Sequence, residues 1–283
     1  LSKLGFTCYG PELKKEVILV ANNDTFLKGL LKKWEKTREP IRPSESELHF
    51  YESFVTKISG LENPEMLILG ATPELRDMGI KYGMKPVCAD IEKPIWETMK
   101  HFMKEQGEEE LILCDWLELP EDRKFDLILG DGPFNMLAEE KGDPFFESVA
   151  KVTKDDGLIV QRIITFNDKL TLEDFKRAVR DFRGNHSELS LYANTVFLAN
   201  SIGKSTYPHL TQLEIFEQVL SKYLTKDELD EVIPNLLPIK INLPSRTDLK
   251  AMLEKHFVLE QVRESKGPGY WDTTAQYVAR KKL

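Results

Sequence analysis

The sequence predicts an α/β fold: a doubly wound, seven-stranded, mostly parallel sheet with a C-terminal antiparallel hairpin and a helical insertion. Three observations carry that expectation. Short apolar runs alternate with helical segments between residues 66 and 165. The runs are near-continuous rather than alternating, as in strands that helices bury on both faces. The last two runs are joined by Ser265-Lys266-Gly267-Pro268-Gly269 with no helix between them, so they must lie antiparallel.

The 283 residues suffice for one large α/β domain with additions, or for two domains. A net charge of −8, with no stretch that concentrates Lys and Arg, disfavours a nucleic acid as partner or substrate. No apolar run is long enough to span a bilayer, and no secretory signal is visible at the start, so no membrane partner is expected. The three cysteines are scattered, and Cys88 and Cys114 sit in apolar runs, which suits buried thiols in a reducing, cytoplasmic setting. No second Cys or His stands at ligand spacing, so no metal site is expected. The five histidines, His49, His101, His186, His209 and His256, are dispersed and suggest no triad.

In chain order, Glu16 to Ala21 reads as a short strand stopped by Asn22-Asn23-Asp24. Asp24 caps a helix to about Arg38, with Leu27, Leu30, Leu31 and Trp34 in one apolar stripe. Pro40 and Pro43 bracket an extended segment containing Arg42. Ser44 and Glu47 form a capping box for a helix through Tyr51 and Phe54 that Gly60 ends.

Met66 to Leu69 is the first core strand, and Gly70 breaks it. Thr72 is placed to cap a helix with Pro73 at its first position and Glu74 behind it. A helix start of this kind suits a carboxylate or phosphate, so it reads either as a cofactor site or as an ordinary βα turn. Strand 86–89 then leads to Asp90 and a helix to about 105. Strand 111–114 leads to Asp115-Trp116, and strand 125–129 to Gly130-Asp131-Gly132-Pro133. A helix over about 143–153 and strand 158–165 follow. From Thr171 to about Leu237 only helices are found, one spanning about 209–224. A final helix carrying Leu249, Met252 and Leu253 precedes strands 257–263 and 273–280. The chain therefore divides into an N-terminal helical extension (1–44), a core (45–165 and 245–283) and a helical cap inserted at 166–244.

A doubly wound sheet closed by a hairpin resembles the class I, Rossmann-like S-adenosylmethionine-dependent methyltransferases, whose landmarks recur here in order across the core segments. The resemblance implies S-adenosyl-L-methionine as cofactor, S-adenosyl-L-homocysteine as product and a small-molecule acceptor. Gly70, Ala71 and Thr72 would hold the methionine part. The loop departs from acidic-x-Gly-x-Gly-x-Gly: only Gly70 remains, with Thr72 and Glu74 at the second and third glycines. Asp90, 20 residues beyond Gly70, would accept from the ribose hydroxyls, or merely cap the next helix. Ile91 and Ile95 would pack near the adenine. Asp115 would accept from the adenine amino group and Trp116 would stack on the base; a loop acid beside a core tryptophan is the alternative.

The segment from Gly130 through Asp131, Gly132, Pro133 and Phe134 to Asn135 falls where donor and acceptor would meet. It loosely resembles the (Asn/Asp)-Pro-Pro-(Tyr/Phe) motif of enzymes that methylate amino groups, but Gly132 fills the second position and weakens the case for an amino substrate. Asp131 is the candidate general base. Arg42 would pair with the cofactor carboxylate or an acidic substrate, Tyr51 would cover the sulfonium, and Phe134 and Arg162 would face the acceptor. Phe197, Tyr207 and Phe216 would line the acceptor pocket in the cap, or pack its core. Two rival readings share the fold: a nicotinamide-dependent dehydrogenase, and a protein that binds S-adenosylmethionine without transferring methyl.

Overall fold

The computed structural model describes residues 39–184, 191–206, 210–233, 242–267 and 269–282, together with Trp34 and Thr37. The strand expected at Glu16–Ala21, most of the helix after it and Tyr207 lie outside the described residues.

The strands are β1 (Met66–Leu69), β2 (Val87–Asp90), β3 (Glu110–Leu113), β4 (Phe125–Asp131), β5 (Thr153–Ile164), β6 (Phe257–Glu264) and β7 (Thr274–Lys281). They form one sheet in the order β3-β2-β1-β4-β5-β7-β6. The first five are parallel, and β7 runs antiparallel between β5 and β6. Every residue of β1 is buried, as its unbroken apolar run requires. Strand order reverses between β1 and β4, which opens a crevice at their carboxyl ends.

The helices are α1 (Glu45–Ile58), α2 (Pro73–Lys81), α3 (Lys93–Met99), α4 (Gly142–Val152), α5 (Leu172–Gly184), α6 (Leu191–Thr206), α7 (Gln212–Ile215), α8 (Lys226–Val232) and α9 (Arg246–His256). Tyr51, Phe54 and Val55 of α1, Leu75 and Met78 of α2, and Trp96 and Met99 of α3 cover one face of the sheet, against Met66, Ile68, Leu129 and Val160. Phe145, Phe146 and Val149 of α4 and Leu249 and Leu253 of α9 cover the other, against Leu67, Leu69, Ile128 and Ile163. Helices α5 to α8 share a third cluster built on Phe175, Val179, Leu198, Ile202, Phe216 and Val232. Phe216 is fully buried there, edge-on to Phe175, and packs this cluster. Phe197 is also buried.

Three local expectations change. Thr72 makes no side-chain cap on α2, so Gly70 and Pro73 shape that turn without it. The helix expected to reach residue 105 ends at Met99 and tightens into a 3₁₀ turn to Phe102. The helix expected over 209–224 is α7 followed by a π turn (Phe216–Leu220) and a 3₁₀ turn (Ser221–Tyr223). Among the described residues, no helix is long and apolar enough to cross a membrane.

Candidate functional site

The carboxyl ends of β1, β2 and β3 bring three sequence landmarks together. Gly70 adopts φ 102°, which side-chain-bearing residues resist. Its N–H donates to Ala89 O at 2.8 Å, locking the turn to β2. The Trp116 indole donates to the same carbonyl at 2.6 Å, and its ring lies 3.8 Å from where a Gly70 Cβ would stand. The loops after β1, β2 and β3 thus meet at one point. Ala71 is buried, and Thr72 and Ile91 are half-buried beside it. Ile95 packs against the core under α2.

The end of β2 is acidic. One oxygen of Asp90 accepts from Glu92 N at 2.9 Å, so Asp90 does stabilise the chain's entry into α3. Burial pushes the Asp90 carboxyl up to about 6 against those backbone bonds. Glu92, buried two residues on, is pushed up to about 7 by burial and by the charge of Asp90. No cation contributes to either shift. Two crowded acceptors of this kind suit a ligand that donates hydrogen bonds, such as a vicinal diol.

Asp115 is buried, not exposed, and its carboxylate accepts from Leu117 N at 2.9 Å, capping the turn Trp116–Glu118. Burial hides it because that turn folds back onto Leu119 and α4, where the Ser148 hydroxyl accepts from Leu119 N.

At the ends of β4 and β5 the structure holds a buried charge network. Asp131 and Arg162 pair across the two strands, Nε donating to Oδ1. The other guanidinium nitrogens donate to Pro40 O at 2.7 Å and Ile41 O at 2.9 Å. Nη1 also lies 3.6 Å from Glu47 Oε2. Glu47 is only 1% exposed and accepts from Ser265 Oγ at 2.5 Å, Tyr270 OH at 2.6 Å and Ser44 N at 2.7 Å. Burial would raise Glu47, but Arg162 and those donors outweigh it and hold it below its ordinary value. Burial would likewise depress Arg162, and Asp131 and Glu47 outweigh it and hold the guanidinium protonated. Burial pushes Asp131 up to about 6 in spite of Arg162.

Four expectations for substrate contacts meet different surroundings. Arg162 is 4% exposed and its donors are taken by Asp131 and two backbone carbonyls, so it faces a strap of chain rather than an open cleft. Tyr51 is fully buried and donates to Gly130 O at 2.7 Å, which fixes the end of β4 from below. Phe134 is fully buried and stacks on Phe146 at 5.3 Å, because the turn after Gly132 drives it into the core. Arg42 alone stays partly open, held to Glu74 and lying 5.0 Å over the Trp34 ring.

Gly132, at φ 75°, starts the turn Pro133–Met136. Asn135 of that turn donates to Ile164 O at 2.7 Å and Asn242 O at 2.6 Å, and accepts from Ile164 N at 2.9 Å. It ties the β4 loop to β5 and to the return from the insertion. In the sequence Asn135 carries no role of its own, Ser265 reads only as part of the hairpin turn, and Glu92 and Tyr270 give no local signal. Glu47 reads locally as a capping residue and Glu74 as a departure from the glycine pattern. Glu47 does complete the box with Ser44, yet its second partners are more than 200 residues away.

Among the described residues, no group of three or more His, Cys, Asp or Glu converges as metal ligands. No protein-family model matches the chain, and no curated protein matches it in sequence. Solved structures do. The N-methyltransferase NodS from Bradyrhizobium japonicum, in complex with S-adenosyl-L-homocysteine, aligns over 95% of this chain and 98% of its own at 10% identity and a TM-score of 0.51. Magnesium protoporphyrin IX methyltransferase (ChlM) from Synechocystis, with bound S-adenosyl-L-homocysteine, aligns over 92% and 97%, at 10% and 0.51. A protein from Rhodobacter sphaeroides described as one of the zinc-dependent alcohol dehydrogenases aligns over 89% and 94%, at 15% and 0.54. At such identities the likeness concerns the fold, which is the Rossmann-like α/β methyltransferase fold with the reversed β7.

Proposed function

We propose that the chain is an S-adenosylmethionine-dependent methyltransferase that acts on a small-molecule acceptor and releases S-adenosylhomocysteine. The observation that carries this reading is the convergence of the Gly70, Asp90 and Trp116 loops at the carboxyl ends of β1, β2 and β3. The residues present fit the cofactor. Gly70 leaves the backbone bare at the turn, Asp90 and Glu92 are crowded acids that burial raises, and among the described residues Glu74 keeps a buried oxygen without a partner. In this reading Gly70, Ala71 and Thr72 hold the methionine part and Asp90 the ribose. Ile91, Ile95, Asp115 and Trp116 flank the adenine, and Gly130, Asp131 and Gly132 border the point of transfer.

When bound, S-adenosylmethionine supplies a methyl group already activated by its sulfonium. The chain then needs to align the acceptor and keep water out. Arg162 and Tyr51 fix the position of Asp131 by holding its side chain and its neighbour's carbonyl. Asp131 orients the acceptor and, for an acceptor that arrives protonated, takes the proton at its carboxylate. The helical insertion and the net charge of −8 favour a small acceptor over a nucleic acid. Cys88 and Cys114 are free thiols, in keeping with a reducing, cytoplasmic setting.

Isothermal calorimetry with S-adenosylmethionine, S-adenosylhomocysteine and NAD tests the reading. Binding of the first two and not of NAD, with loss in Asp90→Ala, is expected. Absence of S-adenosyl ligand binding by folded wild type, or NAD binding instead, overturns it. A panel of acceptors then separates a methyltransferase from a protein that only binds the cofactor.

A further inference from the structure

At the ends of β4 and β5 one guanidinium serves two acids. Arg162 Nε donates to Asp131 Oδ1, and Arg162 Nη1 lies 3.6 Å from Glu47 Oε2. Burial opposes the charge of Glu47, but Arg162 and the donors Ser265 Oγ, Tyr270 OH and Ser44 N keep it ionised. Burial raises Asp131 only to about 6, so it too is ionised above neutral pH. The two acids in turn hold Arg162 protonated. Above pH 7 the cluster therefore carries one negative charge in excess. The other groups that face Asp131 do not cancel it. Tyr51, from α1, stays a neutral phenol because burial and Asp131 oppose its ionisation. Glu74, from α2, is paired with Arg42, so that pair adds no net charge. The side chains of Asp131 and Arg162 are each 5% exposed, so water screens the excess weakly.

We propose that this uncompensated charge, carried by Asp131, Arg162 and Glu47, lies beneath the point of methyl transfer and selects a cation there, which makes a neutral amine the fitting acceptor. The proposal rests on the cofactor reading above and adds the class of acceptor. S-Adenosylmethionine is positive at sulfur and S-adenosylhomocysteine is neutral there, so the site favours the cofactor over its spent product. An amine turns cationic as it reacts. Its nitrogen lone pair forms the bond to the methyl carbon while the carbon–sulfur bond breaks, and that bonding pair stays on sulfur. The positive charge thus passes from sulfur to nitrogen over the same excess negative charge. The Asp131 carboxylate then takes the N–H proton. A carboxylate or phenolate acceptor would bring a second negative charge to this place and be repelled. The motif departure at Gly132 does not bear on the argument, because the charge resides in the other three residues.

Calorimetry on the full chain, with three ligands and two variants, tests this. At the point of transfer S-adenosylmethionine carries a sulfonium, sinefungin an ammonium and S-adenosylhomocysteine no charge. Wild type at pH 7.5 is expected to bind the first two about tenfold or more tighter than the third. Asp131→Asn and Glu47→Gln should each shrink that preference to about twofold or less. Both should keep the wild-type affinity for S-adenosylhomocysteine, which also shows that they are folded. Glu47 touches no ligand in this reading, so its effect is one of charge alone. At pH 5, where Asp131 is protonated and Glu47 is not, the wild-type preference should fall. Asp90 and Glu92 titrate in the same range, but they face the part that all three ligands share and drop out of the ratio. Equal wild-type affinity for all three ligands, a preference that both variants keep, or one that is the same at pH 5 and 7.5 overturns the proposal while leaving the cofactor reading intact. Methyl transfer to carboxylates or phenols and not to amines overturns it as well. Failure of wild type to bind any of the three removes the cofactor reading, and the proposal with it.

Discussion

Replacing Asp90 by asparagine should stabilise the unliganded protein above pH 6 while weakening its grip on the cofactor. The folded Asp90 titrates near 6 rather than at its ordinary 3.8, chiefly because it is buried. A carboxyl raised on folding contributes stability that is fully present below its ordinary value and drains away as the pH climbs through the folded value. A rise from 3.8 to about 6 corresponds to about 3 kcal/mol lost by pH 7. Asp90 is not fully enclosed, so solvent screening trims this to about 2 kcal/mol.

Asparagine mimics the neutral acid and keeps the oxygen that accepts from Glu92 N. It also relieves Glu92, whose carboxyl is raised partly by the charge of Asp90. For a chain of this size a gain of about 2 kcal/mol is a rise of about 4–8 °C in Tm. Scanning fluorimetry from pH 4 to 8 reads it. The curves of wild type and Asp90→Asn should coincide near pH 4 and separate through pH 6, and the thermal shift produced by S-adenosylhomocysteine should shrink in the variant. A gap that does not change with pH, or a variant less stable at pH 8, would refute the argument from burial.

Three further outcomes follow from the packing around β4 and β5. Tyr51→Phe leaves Gly130 O without its buried donor and should cost about 1–3 kcal/mol in urea denaturation. Arg162→Met strands Asp131 and Glu47 as buried acids, for a loss of about 3–5 kcal/mol at pH 7. Both acids then rise in the folded state, so lowering the pH to 5 should return part of that loss, measured by repeating the urea titration. Gly132→Ala and Gly130→Ala should differ in Tm. The first meets no atom within 4 Å and pays only for its positive φ, about 1 kcal/mol. The second drives a Cβ to 2.1 Å from Gln161 Oε1 and 2.7 Å from Pro133 Cγ, and should cost more.

The sheet was legible because its signals are local. Unbroken apolar runs such as Met66–Leu69 and a loop without a helix at 265–269 are visible in a few residues, and they specify buried parallel strands and an antiparallel pair. The place of Asp90 in the fold was legible for the same reason, since it ends β2 and starts a turn. Arg162 was not. Whether an arginine at the end of a strand faces a cleft or a strap depends on Pro40 and Ile41, which lie over 120 residues earlier. Phe134 failed likewise, because its place among Phe145 and Phe146 is decided by the direction of the Gly132 turn. At Thr72 a residue type suited to capping was present without the backbone geometry that capping needs.

The position of β7 bears on how the protein is made. Its residues register with β5 on one side, Ile159 against Ala279, and with β6 on the other, Leu259 against Ala279. The last of these strands in chain order is thus an interior strand of the sheet. Until it arrives, β5 carries an open hydrogen-bonding edge along its whole length and β6 has no neighbour at all. The first five strands can assemble as they are made, but the sheet closes only once β7 is available to pair. The nascent chain therefore waits with an unpaired, Ile- and Val-rich edge, the form in which strands most readily join the wrong partner.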